Sequence, residues 1–134
     1  MEIKKYAAID IGSNAIRLLI SNVIIKDSSI THYRKSSLVR VPIRLGSDTF
    51  TTGLISKENT NRMIDALQAF KLLMNVHGIE KYKACATSAM REATNGAVIV
   101  QSVFKKTGIK IDIIDGKTEA AIISATDLNE IILG

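Results

Sequence analysis

The sequence contains few aromatic residues, one cysteine, one proline and no tryptophan. Aromatic residues make up 4% of the chain, too few for the stacking platforms that bind single-stranded nucleic acid. The lone cysteine, Cys85, cannot form an internal disulfide, so nothing requires an oxidising compartment, and we expect a buried, inert thiol. No apolar run approaches the roughly 18 residues of a transmembrane helix, and residues 1–6 lack the pattern of a signal peptide. These absences predict a cytoplasmic protein with neither nucleic-acid nor membrane partners.

The length and the composition of the chain indicate one globular domain that spans residues 1–134. Hydrophobic residues make up 46% of the chain and charged residues 23%, which allows a sizeable core. The net charge of +5 by itself favours anionic partners such as nucleic acid, polyphosphate, nucleotides or phospholipid headgroups. The basic residues are scattered and form no long run, so a solvated basic surface explains this charge more simply.

The stretch 7–20, AAIDIGSNAIRLLI, places a polar turn between two apolar runs. It predicts two buried strands joined by a hairpin loop, in which Gly12 and Asn14 tolerate positive φ. Backbone N–H groups, the Ser13 hydroxyl and the Asn14 amide would suit a phosphate oxygen, and Asp10 would suit a divalent cation. The simpler alternative is an ordinary hairpin with turn-forming residues.

Arg17 is the one charged residue in the apolar run that follows this turn. The run predicts a strand that is central in its sheet. A guanidinium there needs an anionic partner, since an unpaired buried charge is costly. That partner could be a bound phosphate or an internal carboxylate.

The rest of the chain alternates between strand and helix patterns. It predicts, in order, a third strand at 30–41, an irregular segment at 42–53, a helix at 57–77 capped by Ser56, a strand at 82–87, a helical turn at 87–91 capped by hydroxyls, a helix from 94–96 to 108 with Val98, Val100, Val103 and Phe104 inward, a strand at 109–114 and a helix at 118–133.

This order, β-β-β-α-β-α-β-α, predicts an α/β domain with a mixed sheet and helices on its faces. Ligands of α/β sheets bind beyond the carboxyl ends of strands, so the turns at 10–14, 87–91 and 116–119 can converge on one cleft. They carry hydroxyls, including that of Ser88, with Arg17 and Arg91 for negative charge, Asp10 for a metal and Glu119 as a base. That inventory suits hydrolysis of a phosphoanhydride. A carboxylate such as Glu119 is also favoured in the first turn of a helix by the helix dipole alone.

Three segments, AIDIGSNAIRLLI, ATSAMREATN and IDGKTEAAII, together resemble the N-terminal domain of the exopolyphosphatase and guanosine pentaphosphate phosphohydrolase family. That family is part of the actin, heat-shock-protein and sugar-kinase superfamily, so the resemblance implies a ribonuclease H-like (actin-like ATPase) domain. It also implies the roles of individual residues, with magnesium as cofactor. Asp10, Gly12, Ser13 and Asn14 would form the first phosphate loop, Arg91 would contact substrate phosphate, and Glu119 would activate water.

Two features depart from that family. Thr118-Glu119 stands where paired acidic residues are usual, and the second domain with its glycine-rich phosphate loop is absent from the chain. The sequence is therefore expected to be a truncated form or a stand-alone half, inactive by itself, whose uncovered apolar face would favour a homodimer. The alternatives are a sugar kinase or ATPase of the same superfamily and a non-catalytic phosphate- or polyphosphate-sensing module. A ribonuclease H-type nuclease is disfavoured, because Thr87 and Ser88 provide no acid at the fourth strand.

Overall fold

The structure, a computed structural model, describes residues 2–27 and 29–115. The predicted helix at 118–133 and Glu119 lie outside the described residues. The described elements are the strands β1 (Glu2–Ile11), β2 (Ile16–Lys26) and β3 (Ser29–Val41), the helices α1 (Leu45–Thr52) and α2 (Lys57–His77), strand β4 (Lys81–Ala86), the helices α3 (Ser88–Glu92) and α4 (Gly96–Thr107), and strand β5 (Ile111–Ile113).

The five strands form one sheet in the order β3-β2-β1-β4-β5. β1, β2 and β3 pair antiparallel, whereas β4 pairs parallel with both β1 and β5. The predicted mixed sheet is therefore confirmed, and β2 is flanked by strands on both sides as expected. Because β1, β4 and β5 are parallel, their carboxyl ends meet at one edge, where Ile11 is level with Ala86 and Ala86 with Ile113.

One face of this sheet packs against the helices in the main hydrophobic core. Alternate residues of β1, such as Ala7, Ile9 and Ile11, point into that core, as period-2 alternation requires. The apolar face predicted for α2 is confirmed. Its buried residues include Met63, Ile64, Leu67, Phe70 and Met74.

Both ends of α2 have the predicted caps. The Ser56 hydroxyl accepts a hydrogen bond from the Asn59 N–H at 3.1 Å, which satisfies one of the otherwise unpaired amides of the first turn. At the other end Gly78 adopts a left-handed φ of 69° directly after His77. These local signals define both ends of α2. In the part of the chain that the structure describes, no helix combines the length and the apolar character of a membrane span.

The prediction of an irregular segment at 42–53 is wrong, because Leu45–Thr52 forms helix α1. The Thr49 hydroxyl is buried and lies 3.1 Å from two carbonyl oxygens, those of Leu45 in its own helix and Ala89 in α3. Contact with α3 therefore stabilises a helix whose own sequence is a weak helix former. The helix ends at Gly53, which has a φ of 77°.

Helix α4 differs from prediction in its rotation. Ile99 and Val103 enter the core, whereas Val98 and Phe104 are 66% and 54% exposed, so their predicted inward placement is wrong. The helix packs tightly on α3 at its first residue, since a Cβ on Gly96 would lie 2.1 Å from the Met90 carbonyl oxygen. This close contact between Gly96 and Met90 determines which face of α4 is buried, and the spacing of apolar residues in the sequence does not predict it.

Candidate functional site

The loop between β1 and β2 spans four residues, because Ile11 pairs with Ile16. The Gly12 N–H donates to the Ala15 carbonyl oxygen at 3.0 Å and closes the hairpin. Gly12 and Asn14 tolerate positive φ, but neither adopts it in this loop. Gly12 is instead favoured by space, since a Cβ there would lie 3.3 Å from the Ala15 carbonyl oxygen.

The loop after β4 lies directly beside this hairpin. The Thr87 N–H donates to the Ile11 carbonyl oxygen at 3.1 Å, and the Ser13 and Ser88 hydroxyl oxygens lie 2.8 Å apart. The convergence predicted for the first two turns is therefore confirmed. Contrary to the predicted capping by hydroxyls, no side-chain hydrogen bond caps α3 at Thr87. Both serine hydroxyls therefore lie at the carboxyl edge of the sheet, just beyond the ends of β1 and β4.

Helix α1 forms a third wall of this site, which the sequence reasoning missed. The Gly46 N–H in its first turn donates to the Ser13 carbonyl oxygen at 2.9 Å. A short helix containing glycine and three threonines carries no apolar periodicity that could have revealed it. Its first turn holds the backbone of the hairpin loop.

Asp10 and Arg17 lie opposite each other on β1 and β2. The Arg17 Nη2 donates to the Asp10 Oδ2 at 2.6 Å, and the two side chains are 52% and 40% exposed, respectively. Of the two partners considered for Arg17, the carboxylate is the one seen. Arg17 is not buried, because its side chain leaves the sheet on the face away from the main core.

Arg91 lies in α3 and reaches the chain that follows β5. Its Nη1 donates to the Ile114 carbonyl oxygen at 2.7 Å, and its Nε lies 3.6 Å from the Glu92 carboxylate. The Ile114 N–H in turn donates to the Ala86 carbonyl oxygen at 3.0 Å. The exit of β5 is thereby tied to the same edge of the sheet as the two serine loops.

Among the described residues, no group of three or more His, Cys, Asp or Glu side chains could hold a metal ion. Asp10 is a partly exposed carboxylate beside the hairpin loop. Magnesium is commonly held by one or two carboxylates, with substrate phosphate oxygens and water completing its shell. Asp10 fits such a shared shell as a single ligand, although Arg17 already binds one of its oxygens.

Cys85 lies on β4 directly beside Asp10 on β1. The thiol is buried as predicted, and burial raises the pKa of Cys85 above its usual range. The carboxylates of Asp112 and Asp10 raise this pKa further, and the Lys83 ammonium lowers it. A thiol in this setting remains protonated at neutral pH, which agrees with the expected lack of reactivity.

Comparison with known proteins shows the family to which this chain belongs. The sequence pattern of the Ppx/GppA phosphatase family matches residues 32–130. The chain belongs to this family. Its resemblance to exopolyphosphatases and guanosine pentaphosphate phosphohydrolases is thereby confirmed.

Three curated relatives illustrate the family's range. The chain is 35% identical over 118 residues to a bifunctional 3-dehydroquinate synthase/phosphatase of Fusobacterium nucleatum, covering 87% of this chain and 18% of the relative. It is 26% identical to exopolyphosphatase 1 of Mycobacterium tuberculosis, covering 88% and 33%. It is 31% identical to the guanosine-5'-triphosphate,3'-diphosphate pyrophosphatase of Vibrio vulnificus, covering 88% and 23%. The chain thus spans a third or less of the length of these relatives.

Solved structures of the family share the fold. A Ppx/GppA family member from Aquifex aeolicus superposes with a TM-score of 0.79 at 28% identity, covering 88% of this chain and 37% of that one. An exopolyphosphatase from Cytophaga hutchinsonii superposes with a TM-score of 0.78 at 27% identity, covering 89% and 36%. The predicted ribonuclease H-like fold is confirmed.

Proposed function

We propose that this chain supplies one side of a phosphohydrolase cleft that removes terminal phosphates from polyphosphate or guanosine pentaphosphate and releases orthophosphate. Membership of a phosphatase family supports the reaction class, and the names of two relatives suggest the two substrates. The observation that carries the proposal is the 2.8 Å contact between the Ser13 and Ser88 hydroxyls. It brings together two loops that are distant in sequence and rich in hydrogen-bond donors.

The proposed phosphate-binding residues are Gly12, Ser13, Asn14, Arg17, Ser88 and Arg91. Hydroxyls, backbone N–H groups and the Asn14 amide would donate to phosphate oxygens, and the two guanidiniums would stabilise their charge. A serine hydroxyl is both donor and acceptor, so the Ser13–Ser88 pair can rotate a proton toward an arriving phosphate oxygen. Such preorganised donors contribute most where charge develops during phosphoryl transfer.

Glu119 and Asp10 complete the proposed chemistry. Glu119, which lies outside the described residues, is proposed to accept a proton from the attacking water, so that the water oxygen can form a bond to phosphorus as the bridging oxygen leaves. Asp10 is proposed as one ligand of magnesium. A bound magnesium ion would neutralise negative charge on the phosphate oxygens.

The remaining side of the cleft is proposed to come from a second domain, since the chain spans a third or less of the relatives named above. With hydrogen-bond donors on one side of the cleft only, a substrate phosphate is not held from both sides. The present chain by itself is therefore expected to be inactive.

The experiment compares the present chain with the same chain joined to the C-terminal remainder of the Mycobacterium tuberculosis exopolyphosphatase 1. Orthophosphate release is measured from long-chain polyphosphate and from guanosine pentaphosphate with magnesium. We expect activity only in the joined protein, and loss of that activity in its Glu119→Gln variant. Gel filtration and circular dichroism establish that each protein is folded.

The joined protein should also separate hydrolysis from simple binding. Retention of polyphosphate without orthophosphate release by a folded joined protein would contradict the proposed hydrolysis and indicate a sensing module. Activity of the present chain alone would contradict the need for a second domain. The substrate from which orthophosphate is released faster is the one that the cleft prefers.

A further inference from the structure

The Asp10–Arg17 ion pair joins two side chains that, in the proposed function, bind different ligands. Asp10 is the proposed cation ligand, and Arg17 is a proposed phosphate ligand. In the structure they bind each other, with Arg17 Nη2 and Asp10 Oδ2 at 2.6 Å. The pair is separated from the hairpin loop by one further pair of residues, Ile11 and Ile16, which closes the ladder.

A guanidinium and a divalent cation compete for the same carboxylate. The two positive charges repel each other strongly when only a few ångströms apart, even at a partly exposed site. Closure of Arg17 on Asp10 also fills one of the two carboxylate oxygens. Asp10 therefore has low affinity for a cation as long as Arg17 remains bound to it.

The exposure of the pair allows it to open. The Arg17 side chain is 52% exposed and that of Asp10 is 40% exposed, so rotation of Arg17 away from the carboxylate breaks no core packing. Exposed ion pairs of this kind contribute little to the stability of a protein, so the pair opens at low cost. A phosphate anion in the loop at 12–14 offers the guanidinium a second acceptor with paired oxygens, the geometry that arginine binds best.

We propose that Arg17 exchanges partners. It binds Asp10 when the loop is empty, and it turns to phosphate when phosphate occupies the loop, which frees the Asp10 carboxylate for a divalent cation. This inference rests on the proposed function for the placement of phosphate and cation. Thermodynamic reciprocity then requires that phosphate strengthen cation binding and that the cation strengthen phosphate binding by the same factor.

The sheet supplies a matched control in Arg40. It lies opposite Arg17 on β3, is exposed, and stands two strands from Asp10. Replacing it removes the same charge from the neighbouring strand without removing the partner of Asp10. Any difference between the Arg17 and Arg40 variants therefore reports the contact and not the net charge.

The experiment measures Mn²⁺ binding to the present chain by electron paramagnetic resonance, with and without inorganic phosphate. Protein-free solutions correct for the Mn²⁺–phosphate complex. Without phosphate, we expect Arg17→Gln to tighten Mn²⁺ binding about fivefold and Arg40→Gln by less than about twofold. Phosphate should tighten Mn²⁺ binding to the wild-type chain and have a smaller effect in Arg17→Gln, where only direct contact between phosphate and the cation remains. Arg17→Lys, which retains the charge, should keep part of the coupling.

Three results would overturn the exchange. One is an equal effect of Arg17→Gln and Arg40→Gln, and another is undiminished phosphate coupling in Arg17→Gln. The third is unchanged Mn²⁺ binding in Asp10→Asn, which would also remove Asp10 from the proposed metal site. Failure of the exchange leaves orthophosphate release by the joined protein intact, so the proposed hydrolysis is tested separately. Circular dichroism of each variant confirms that the fold is retained.

Discussion

Gly46 in α1 donates its N–H to the Ser13 carbonyl oxygen at 2.9 Å, and a Cβ on Gly46 would lie 2.9 Å from the Ser13 Cβ. Real Cβ atoms essentially never approach a neighbour this closely, so any larger residue must displace the hairpin loop. The glycine is required here for space and not for its backbone angle, because it lies within a regular helix. Helix α1 thus controls where the Ser13 hydroxyl lies.

Gly46→Ala should weaken phosphate binding. At an unconstrained helix position alanine would gain about 0.5–1 kcal/mol of stability over glycine. Here the added methyl group must move Ser13, and overpacking of this kind costs about 1–3 kcal/mol. We expect tripolyphosphate affinity, measured by calorimetry on the present chain, to fall at least about threefold. Ser47→Ala, at the exposed neighbouring position, is the control and should bind like wild type. Equal binding by both variants would contradict the coupling between α1 and the loop.

The Ser13–Ser88 contact should appear as a coupling energy. Each single alanine variant loses the hydrogen bond, at a cost of about 0.5–1.5 kcal/mol in the free energy of unfolding. The double variant should cost less than the sum of the two, because the second substitution has no bond left to remove. Urea denaturation of the four proteins in the cycle measures this. Additive costs would mean that the two loops are held together by their backbones alone.

The parts of the fold that the sequence predicted are those with local causes. The hairpin at 12–15, the Ser56 cap and the Gly78 terminus each follow from residues within a few positions of one another. The strands follow from apolar runs and alternation, which lie within each segment. The convergence of Ser13 with Ser88 could be predicted because parallel strands end at a common edge.

The parts that could not be predicted depend on contacts between distant segments. Helix α1 has weak helix-forming residues and is held by Thr49 against Ala89 and by Gly46 against Ser13. The rotation of α4 depends on the close approach of Gly96 to Met90. The partner of Arg17 depends on the register between β1 and β2. The length of the loop sets that register, but it is known only when the last residue of β1 and the first residue of β2 are known.

Asp48 links α1 to the start of α2, and its replacement should make stability less dependent on pH. Its Oδ2 accepts hydrogen bonds from the Ser56 N–H and the Asn59 Nδ2, both at 2.9 Å. The bond from the Ser56 N–H, above all, holds the pKa of Asp48 below its ordinary value of 3.8. A depressed pKa means that the ionised form is favoured on folding, so this stabilisation is present above pH 4 or so and is lost as pH falls through the native pKa.

Asp48→Asn should therefore lower the free energy of unfolding by about 1 kcal/mol at neutral pH, with a smaller difference from wild type at about pH 3. Urea denaturation at the two pH values measures it. Asp65→Asn, at an exposed position on α2, is the control and should show no comparable loss. A difference between Asp48→Asn and wild type that is constant with pH would mean that the charge of Asp48 plays no part.

Cys85 should react slowly with alkylating reagents in the folded chain. Burial raises the pKa of this thiol, and the nearby carboxylates of Asp112 and Asp10 raise it further, so little thiolate forms at neutral pH. The buried side chain also lies out of reach until the sheet opens locally. We expect iodoacetamide to modify Cys85 at least about 100-fold more slowly in the native chain than in concentrated urea, with mass spectrometry as the readout. Among the described residues, Lys83 is the one charge that lowers this pKa. Lys83→Gln should therefore slow the native reaction further if the reagent attacks the closed state. An unchanged native rate would show instead that modification follows local opening, and equal native and denatured rates would contradict the burial itself.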